Sequence, residues 1–216
     1  MTTDRRPVPD VSRRSERSRR AILTAALDLV GEVGYARLTV EGIAARAGVG
    51  KQTIYRWWPS KGAVLLDAFL SLSQTPDGEL LPLPDTGDLA ADLKGVMSAT
   101  VDELNDPRVG EPMRALSVEV GHDEALASLW QERMNGPMTR LRRDRLRGAQ
   151  RSGELPEGLD LDEAIDLLWG PLFHRWLLRT GPLTHAHSDR LVDAALDGLR
   201  GPDRKIPPAR RPRRRG

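Results

Sequence analysis

The chain has 216 residues, 39% hydrophobic and 30% charged, and no cysteine. That length suits one domain of ordinary size or a small unit joined to a larger one, and the missing thiols exclude a disulfide framework, a cysteine zinc site and a thiol nucleophile. No apolar run reaches the roughly 18 residues of a membrane span, and the opening MTTDRRPVPDVSRRSERSRR lacks the apolar stretch of a secretory signal, so a cytoplasmic protein without a membrane partner is expected.

The formal net charge of +2 conceals an asymmetry. Residues 1–61 hold 12 basic and 6 acidic side chains, residues 204–216 hold 7 basic and none acidic, and the stretch between holds 14 basic and 25 acidic. Net charges of +6, +7 and −11 follow, so only the two ends attract a polyanion.

In chain order, residues 1–12 carry Pro7 and Pro9 with little apolar surface and are predicted to be a disordered basic arm. From there helical spacing recurs without strand alternation, which predicts an all-α chain. The first helix is expected from about Ser15 to Val33, with Ile22, Ala26, Leu29 and Val33 on one face and Arg13, Arg14, Arg17, Arg19 and Arg20 at its start; Gly34 stops it. A second helix follows a Thr39 cap through Val40, Ile43, Ala44 and Ala47. Gly48-Val49-Gly50 then turns the chain, Gly48 being free to take a positive φ. The third helix is expected over Lys51–Trp58, ended by Pro59, and Ser60 caps a fourth through Val64, Leu65, Ala68, Phe69 and Leu72. The Pro-, Asp- and Gly-rich stretch 74–88 reads as a domain boundary. Four or five more helical stretches are expected, over roughly 88–105, 111–121, 123–152, 160–180 and 188–200, kinked or broken at Gly136-Pro137 and Gly170-Pro171. The end, 203–216, is expected to be a disordered basic tail.

Residues 40–58 have the spacing of a helix-turn-helix. Ala44 lets two helices approach, Gly48 makes the turn, and Ile54 anchors the underside of the second helix. Lys51, Gln52, Thr53, Tyr55, Arg56 and Trp57 are left facing outward on a helix short enough to enter a major groove. A compact helical hairpin with a solvated outer face has the same Ala-Gly-Ile spacing. The basic first helix, the aromatic outer face and Lys61 favour nucleic acid.

The stretch GYARLTVEGIAARAGVGKQTIYRWWPSKGAVLLDAF, residues 34–69, resembles the DNA-binding region of the TetR/AcrR transcriptional regulators. The resemblance rests on Gly34-Tyr35, Thr39, Ile43-Ala44, Ala47-Gly48-Val49, Thr53-Ile54-Tyr55, Trp57-Trp58 and Lys61, with Trp58 standing where the family usually has Phe. It implies a helix-turn-helix unit over 13–61 and a larger helical ligand-binding and dimerisation domain over 62–202. By position, Thr39, Thr53, Tyr55 and Lys61 would contact phosphates, while Lys51, Gln52, Arg56 and Trp57 would face base edges or the groove wall. Arg5, Arg6, Arg13 and Arg14 either reach along the DNA backbone or into the minor groove, or remain a solvated arm.

The resemblance further implies a ligand-responsive repressor that binds a palindromic operator as a homodimer through its last two helices. Ile165, Leu168, Leu172 and Trp176 would form the interface with Leu191, Ala195 and Gly198, although the same stripes also suit a core. A small apolar or amphipathic effector would enter the helical body and move the fourth helix, spoiling the spacing of the two reading heads. Met97, Met113, Leu116, Trp130, Met134, Met138, Trp169 and Phe173 are the candidate lining residues, or plain core.

Two other classes fit less well. An architectural protein coating DNA through its basic tail needs no palindrome. A helical metal-dependent enzyme has only His185, His187 and Asp189 to offer; no catalytic set, cofactor motif or metal site is expected. The arginines of RLRRDRLRG, residues 140–148, read as a solvated helix face that an anionic ligand also suits.

Overall fold

The computed structural model describes residues 11–72 and 80–201, with side chains from Ser15 onward. The expectations for Arg5, Arg6, the side chains of Arg13 and Arg14, most of the arm and the tail lie outside the described residues. So does the start of the 74–88 stretch.

Ten α-helices form, with no strand among the described residues: α1 Val11–Val33, α2 Val40–Ala47, α3 Lys51–Tyr55, α4 Lys61–Leu72, α5 Leu89–Asn105, α6 Pro107–Val120, α7 Glu124–Trp130, α8 Gly136–Ser152, α9 Leu161–Leu178 and α10 His185–Leu199. A 3-10 turn, Tyr35–Arg37, joins α1 to α2, and a π-helical turn, Gln131–Asn135, joins α7 to α8.

Side-chain caps set many of these boundaries. Thr39 accepts from the Gly42 amide, Ser60 from Ala63, Asp88 from Ala91, Asp106 from Arg108, Asp160 from Asp162 and Thr184 from His187. Two of these caps start helices earlier than the sequence predicts. Pro107 opens α6 because a first-turn proline forfeits no helical bond, and Thr184 starts α10 at His185. The helix α1 likewise begins at Val11, inside the expected arm.

The kinks or breaks expected at the two Gly-Pro pairs come out differently: the first site is interrupted and the second is not. At Gly136-Pro137 the chain passes through the π-turn: the Gly136 amide donates to the Gln131 carbonyl, and Pro137 lands in the first turn of α8. A Cβ on Gly136 would lie 2.7 Å from that carbonyl oxygen, which explains the glycine. Around Gly170-Pro171, α9 runs unbroken. Pro171 is exposed, so the carbonyl it deprives of an amide, that of Leu167, sits on the solvent side.

The buried side chains fall into two clusters. One joins α1, α2, Ile54 of α3 and nearly all of α4 to Leu116 of α6 and Leu126 of α7. The other joins Leu89, Leu93, Met97 and Val101 of α5 to α8, α9 and α10. The helix α4 therefore packs with the amino-terminal unit, whereas the expected boundary fell at residue 61.

Candidate nucleic-acid interface and effector cavity

The reading unit is built as its spacing requires. Ala44 is buried where α2 meets α3, and Gly48 takes φ 66°, ψ 34°, donating to the Ala44 and Ala45 carbonyls while the Val49 amide also bonds Ala44. Ile54 is fully buried beneath α3. Arg46 grips Glu32 through two hydrogen bonds of 3.0 and 2.7 Å, fixing α2 to α1.

The solvent face carries Lys51, Gln52, Tyr55 and Arg56, all exposed, with Thr53 half-buried beside them. Tyr55 is 47% exposed, so its ring is not packed away against α1. Lys51 lies 3.8 Å from Glu41, a solvated pair that a phosphate can displace.

Three expectations change. The regular helix α3 has five residues rather than eight, because Pro59 disfavours helix at Trp58 and the chain tightens until Trp57 donates to Ile54. That tightening draws Trp57 off the reading face: it is half-buried, edge-on to Trp58 at 5.3 Å, and Arg56 stacks on it at the same distance. Lys61 is not a free surface cation. Its ammonium donates to the Tyr35 and Leu38 carbonyls at 2.9 and 3.0 Å and lies 4.5 Å from the centre of the Tyr35 ring, so one N–H remains for a phosphate.

The sequence reading missed Asp67, which sits 7% exposed in the apolar run of α4. Its carboxylate accepts from the Trp58 indole at 2.8 Å and from Arg133 of the π-turn at 2.6 Å, and lies 3.6 Å from Arg19 of α1. The available signal was an acid at a core register position together with Trp, not Phe, at residue 58, since only an indole brings a donor. This carboxylate joins the foot of the reading helix to the π-turn.

The other side of that turn borders a cavity of about 480 Å³ between α8 and α9, walled by Trp130, Ile165, Trp169 and Phe173 with Gln131, Asn135, Thr139, Arg142, Arg143 and Asp166 among its polar groups. Of the eight residues expected to line a pocket it unites Trp130, Trp169 and Phe173. Met97 and Leu116 are buried in the two cores, Met113 and Met134 pack against the first, and Met138 is half-buried outside the lining.

The arginine run of α8 is not uniformly solvated. Arg145 is buried against Asp92 at 2.8 Å, Arg143 pairs with Asp162, and Arg142 stacks 4.5 Å from the centre of the Trp169 ring at the cavity wall. Burial pushes the Arg142 guanidinium down to about 10, which leaves it charged at neutral pH.

The expected dimer stripe is also corrected. Ile165, Leu168 and Leu172 are buried in the chain's own second core and Trp176 is buried beside Arg114 of α6, while Leu191 and Ala195 pack half-buried on the core's flank; of the seven only Gly198 is on an open face. The open seam of α9 is Leu167, Pro171, His174 and Leu178. His185 turns to Asp102 at 2.7 Å, and no three metal-ligating side chains converge among the described residues. No described helix is long and apolar enough to cross a membrane.

An all-α chain with an amino-terminal helix-turn-helix and a larger helical body defines a class of DNA-binding regulators. Family comparison identifies which one. Residues 22–68 match the family described as bacterial regulatory proteins, tetR family, and residues 83–195 match the tetracyclin repressor-like C-terminal domain. The uncharacterized HTH-type transcriptional regulator YdeS of Bacillus subtilis is 37% identical over 187 residues, 86% of this chain and 91% of its own. The DNA-binding transcriptional repressor TetR of Mycobacteroides abscessus is 30% identical over 188 residues, 85% and 94% of the two chains. Among solved structures, the TetR family regulator SCO0332 superposes with a TM-score of 0.71 at 33% identity, covering 85% of this chain and 98% of that one. The chain belongs to the TetR family and is a DNA-binding transcriptional regulator.

Proposed function

We propose that the chain is a cytoplasmic, ligand-responsive repressor that binds a palindromic operator as a homodimer, not an enzyme. The observation that carries this reading is the exposed reading face on a fully built helix-turn-helix, connected through Asp67 to the wall of an aromatic cavity. The helices α1 to α3 read DNA, α4 connects, and α5 to α10 hold the effector and the partner. A single reading face offers too few base contacts to specify a genomic address, so two must act together.

In this reading Lys51, Gln52 and Arg56 face the bases, and Thr39, Thr53 and Tyr55 hold the backbone. Gln52→Ala and Arg56→Ala should each remove about 1–3 kcal/mol of discrimination between operator and competitor DNA. Tyr55→Ala should weaken both alike. Fluorescence anisotropy on an operator selected from genomic fragments, against scrambled DNA at the same salt, measures this; equal losses for all three variants refute the division of roles, and an unselective wild type favours the coating protein.

The partner seats on the seam Leu167, Pro171, His174 and Leu178, whose spacing of four, three and four residues makes one helical stripe. Leu167 and Leu178 are 56% and 60% exposed, so two large apolar side chains await cover. Leu167→Glu should yield monomers by light scattering and weaken operator binding about a hundredfold or more, since linked half-sites lose their joint engagement. A variant that stays dimeric moves the interface elsewhere.

A further inference from the structure

We propose that the cavity between α8 and α9 is selective for a flat, aromatic, singly charged carboxylate, with Arg142 as its anion anchor. This rests on the reading of the cavity as the effector site and assigns the chemistry of what enters it.

Charge complementarity is the first argument. Arg143 and Arg145 each donate to a carboxylate, Asp162 and Asp92 respectively, whereas no carboxylate among the described residues pairs with Arg142. Its guanidinium instead stacks on Trp169 at the cavity wall. A half-buried cation facing an aromatic ring carries unused hydrogen-bond donors in a setting where water solvates it incompletely, and an entering carboxylate takes up those donors in a planar fork. The depressed Arg142 titration agrees with a cation lacking its counter-charge.

The walls specify the rest. Trp130, Trp169, Ile165 and Phe173 supply flat apolar surface, and about 480 Å³ falls within the range of small-molecule sites. The charge limit follows from the other ionised groups. Arg143 and Asp162 neutralise one another, which leaves Arg142 as the unpaired cation of the lining and Asp166 as an exposed carboxylate that pairs with no cation among the described residues. One anion satisfies Arg142; a second negative charge meets Asp166. Phosphate esters and dicarboxylates are therefore disfavoured.

The π-turn also joins the cavity to α4. Gln131 and Asn135 of the π-turn line the cavity, and Arg133 from the same turn grips Asp67. A ligand against Gln131 and Asn135 bears on one end of the turn while the Arg133–Asp67 contact lies at the other, so unequal affinity for two positions of the turn supplies the differential interaction a switch requires.

The test uses the full-length protein and three probes on one ring system, 1-naphthoate, its neutral isostere 1-naphthamide and the dianionic ester 1-naphthyl phosphate, with affinity read by calorimetry. Naphthoate should bind about tenfold to a hundredfold tighter than the amide, the range of a charge-assisted hydrogen bond, and tighter than the phosphate. Arg142→Met, which keeps the stem and removes the charge, should abolish that preference while the unliganded melting temperature stays close to wild type; Arg142→Lys should retain part of it. Gly170→Phe, which places a ring at the mouth where a Cβ meets nothing within 4 Å, should block all binding. Equal affinity for naphthoate and amide, naphthoate binding unchanged by Arg142→Met or Gly170→Phe, or no binding of any probe at millimolar concentration overturns the proposal. Arg142-dependent naphthoate binding that never alters DNA affinity upholds the anion site and overturns the effector reading instead.

Discussion

Replacing Arg145 by alanine is expected to destabilise the protein by about 3 kcal/mol, the low end of the range for stripping one partner from a buried ion pair. The side chains of Arg145 and Asp92 are 3% and 5% exposed. Arg145 donates to the Asp92 carboxylate and to the Pro84 carbonyl, both at 2.8 Å, so it fastens the segment before α5 onto α8. The low end applies because Asp92 keeps two donors, the Thr86 amide at 2.9 Å and the Thr86 hydroxyl at 2.8 Å. For a chain of this size the melting temperature should fall by roughly 6–12 °C. Arg145→Met combined with Asp92→Leu should recover most of the loss, since an apolar pair of similar volume removes both desolvation costs.

The same pair sets an acid limit. Burial pushes the Asp92 carboxyl up, but hydrogen bonds from Arg145 and Thr86 outweigh it and hold the group below its ordinary value. A carboxyl depressed in the folded state contributes stability that is complete above its unfolded pKa, about 3.9, and lost as the pH falls through the folded value. Chemical denaturation from pH 7 to pH 2 should show this decline in wild type and a shallower one in Arg145→Ala. Parallel curves would mean the pair carries no proton linkage.

Asp67→Ala is expected to cost about 2–4 kcal/mol and to loosen the reading helix specifically. It strands the Trp58 indole N–H, buried at 2% exposure, and releases Arg133 and Arg19 together. Hydrogen exchange should quicken over residues 51–58 more than in α5 or α10, and operator affinity should fall with it. Asp67→Asn separates two roles of one side chain. The amide oxygen still accepts from the indole, so the fold and DNA binding persist, while the attraction to Arg133 is lost. Its signature is near-normal operator affinity with a weakened response to whatever fills the cavity. If Asp67→Asn responds as wild type does, coupling runs through apolar contacts of α4 and not through this carboxylate.

The helix-turn-helix was legible because its determinants are local. Thr39, Gly48 and Ile54 act within one turn of the residues they organise, and the register of Lys51, Gln52, Tyr55 and Arg56 follows from helical periodicity once Ile54 is inward. Trp57 and Lys61 departed from expectation for tertiary reasons: the indole found Trp58, and the ammonium found two carbonyls of the turn after α1. The apolar periodicity of α9 was real, yet it could not distinguish a stripe that faces the chain's own core from one that faces a partner. Both present a Leu or Trp every third or fourth residue, and only the positions of α5, α8 and α10 assign Ile165, Leu168 and Leu172 to the interior, while Arg114 of α6 stacks on Trp176.

Charge behaved in the same way. The arginines between Arg140 and Arg147 look alike in the sequence, but one is buried in an ion pair, one is paired at the surface, and one is left beside Trp169 without an acid. What composition and spacing determined alone was an all-helical DNA reader, because capping, turn formation and helix period depend on neighbours within a few residues. What the tertiary structure decided was which acid meets which base, and hence where the cavity, the seam and the Asp67 connection lie. Those pairings join residues as far apart as Asp67 and Arg133, or Asp92 and Arg145, and no local period encodes them.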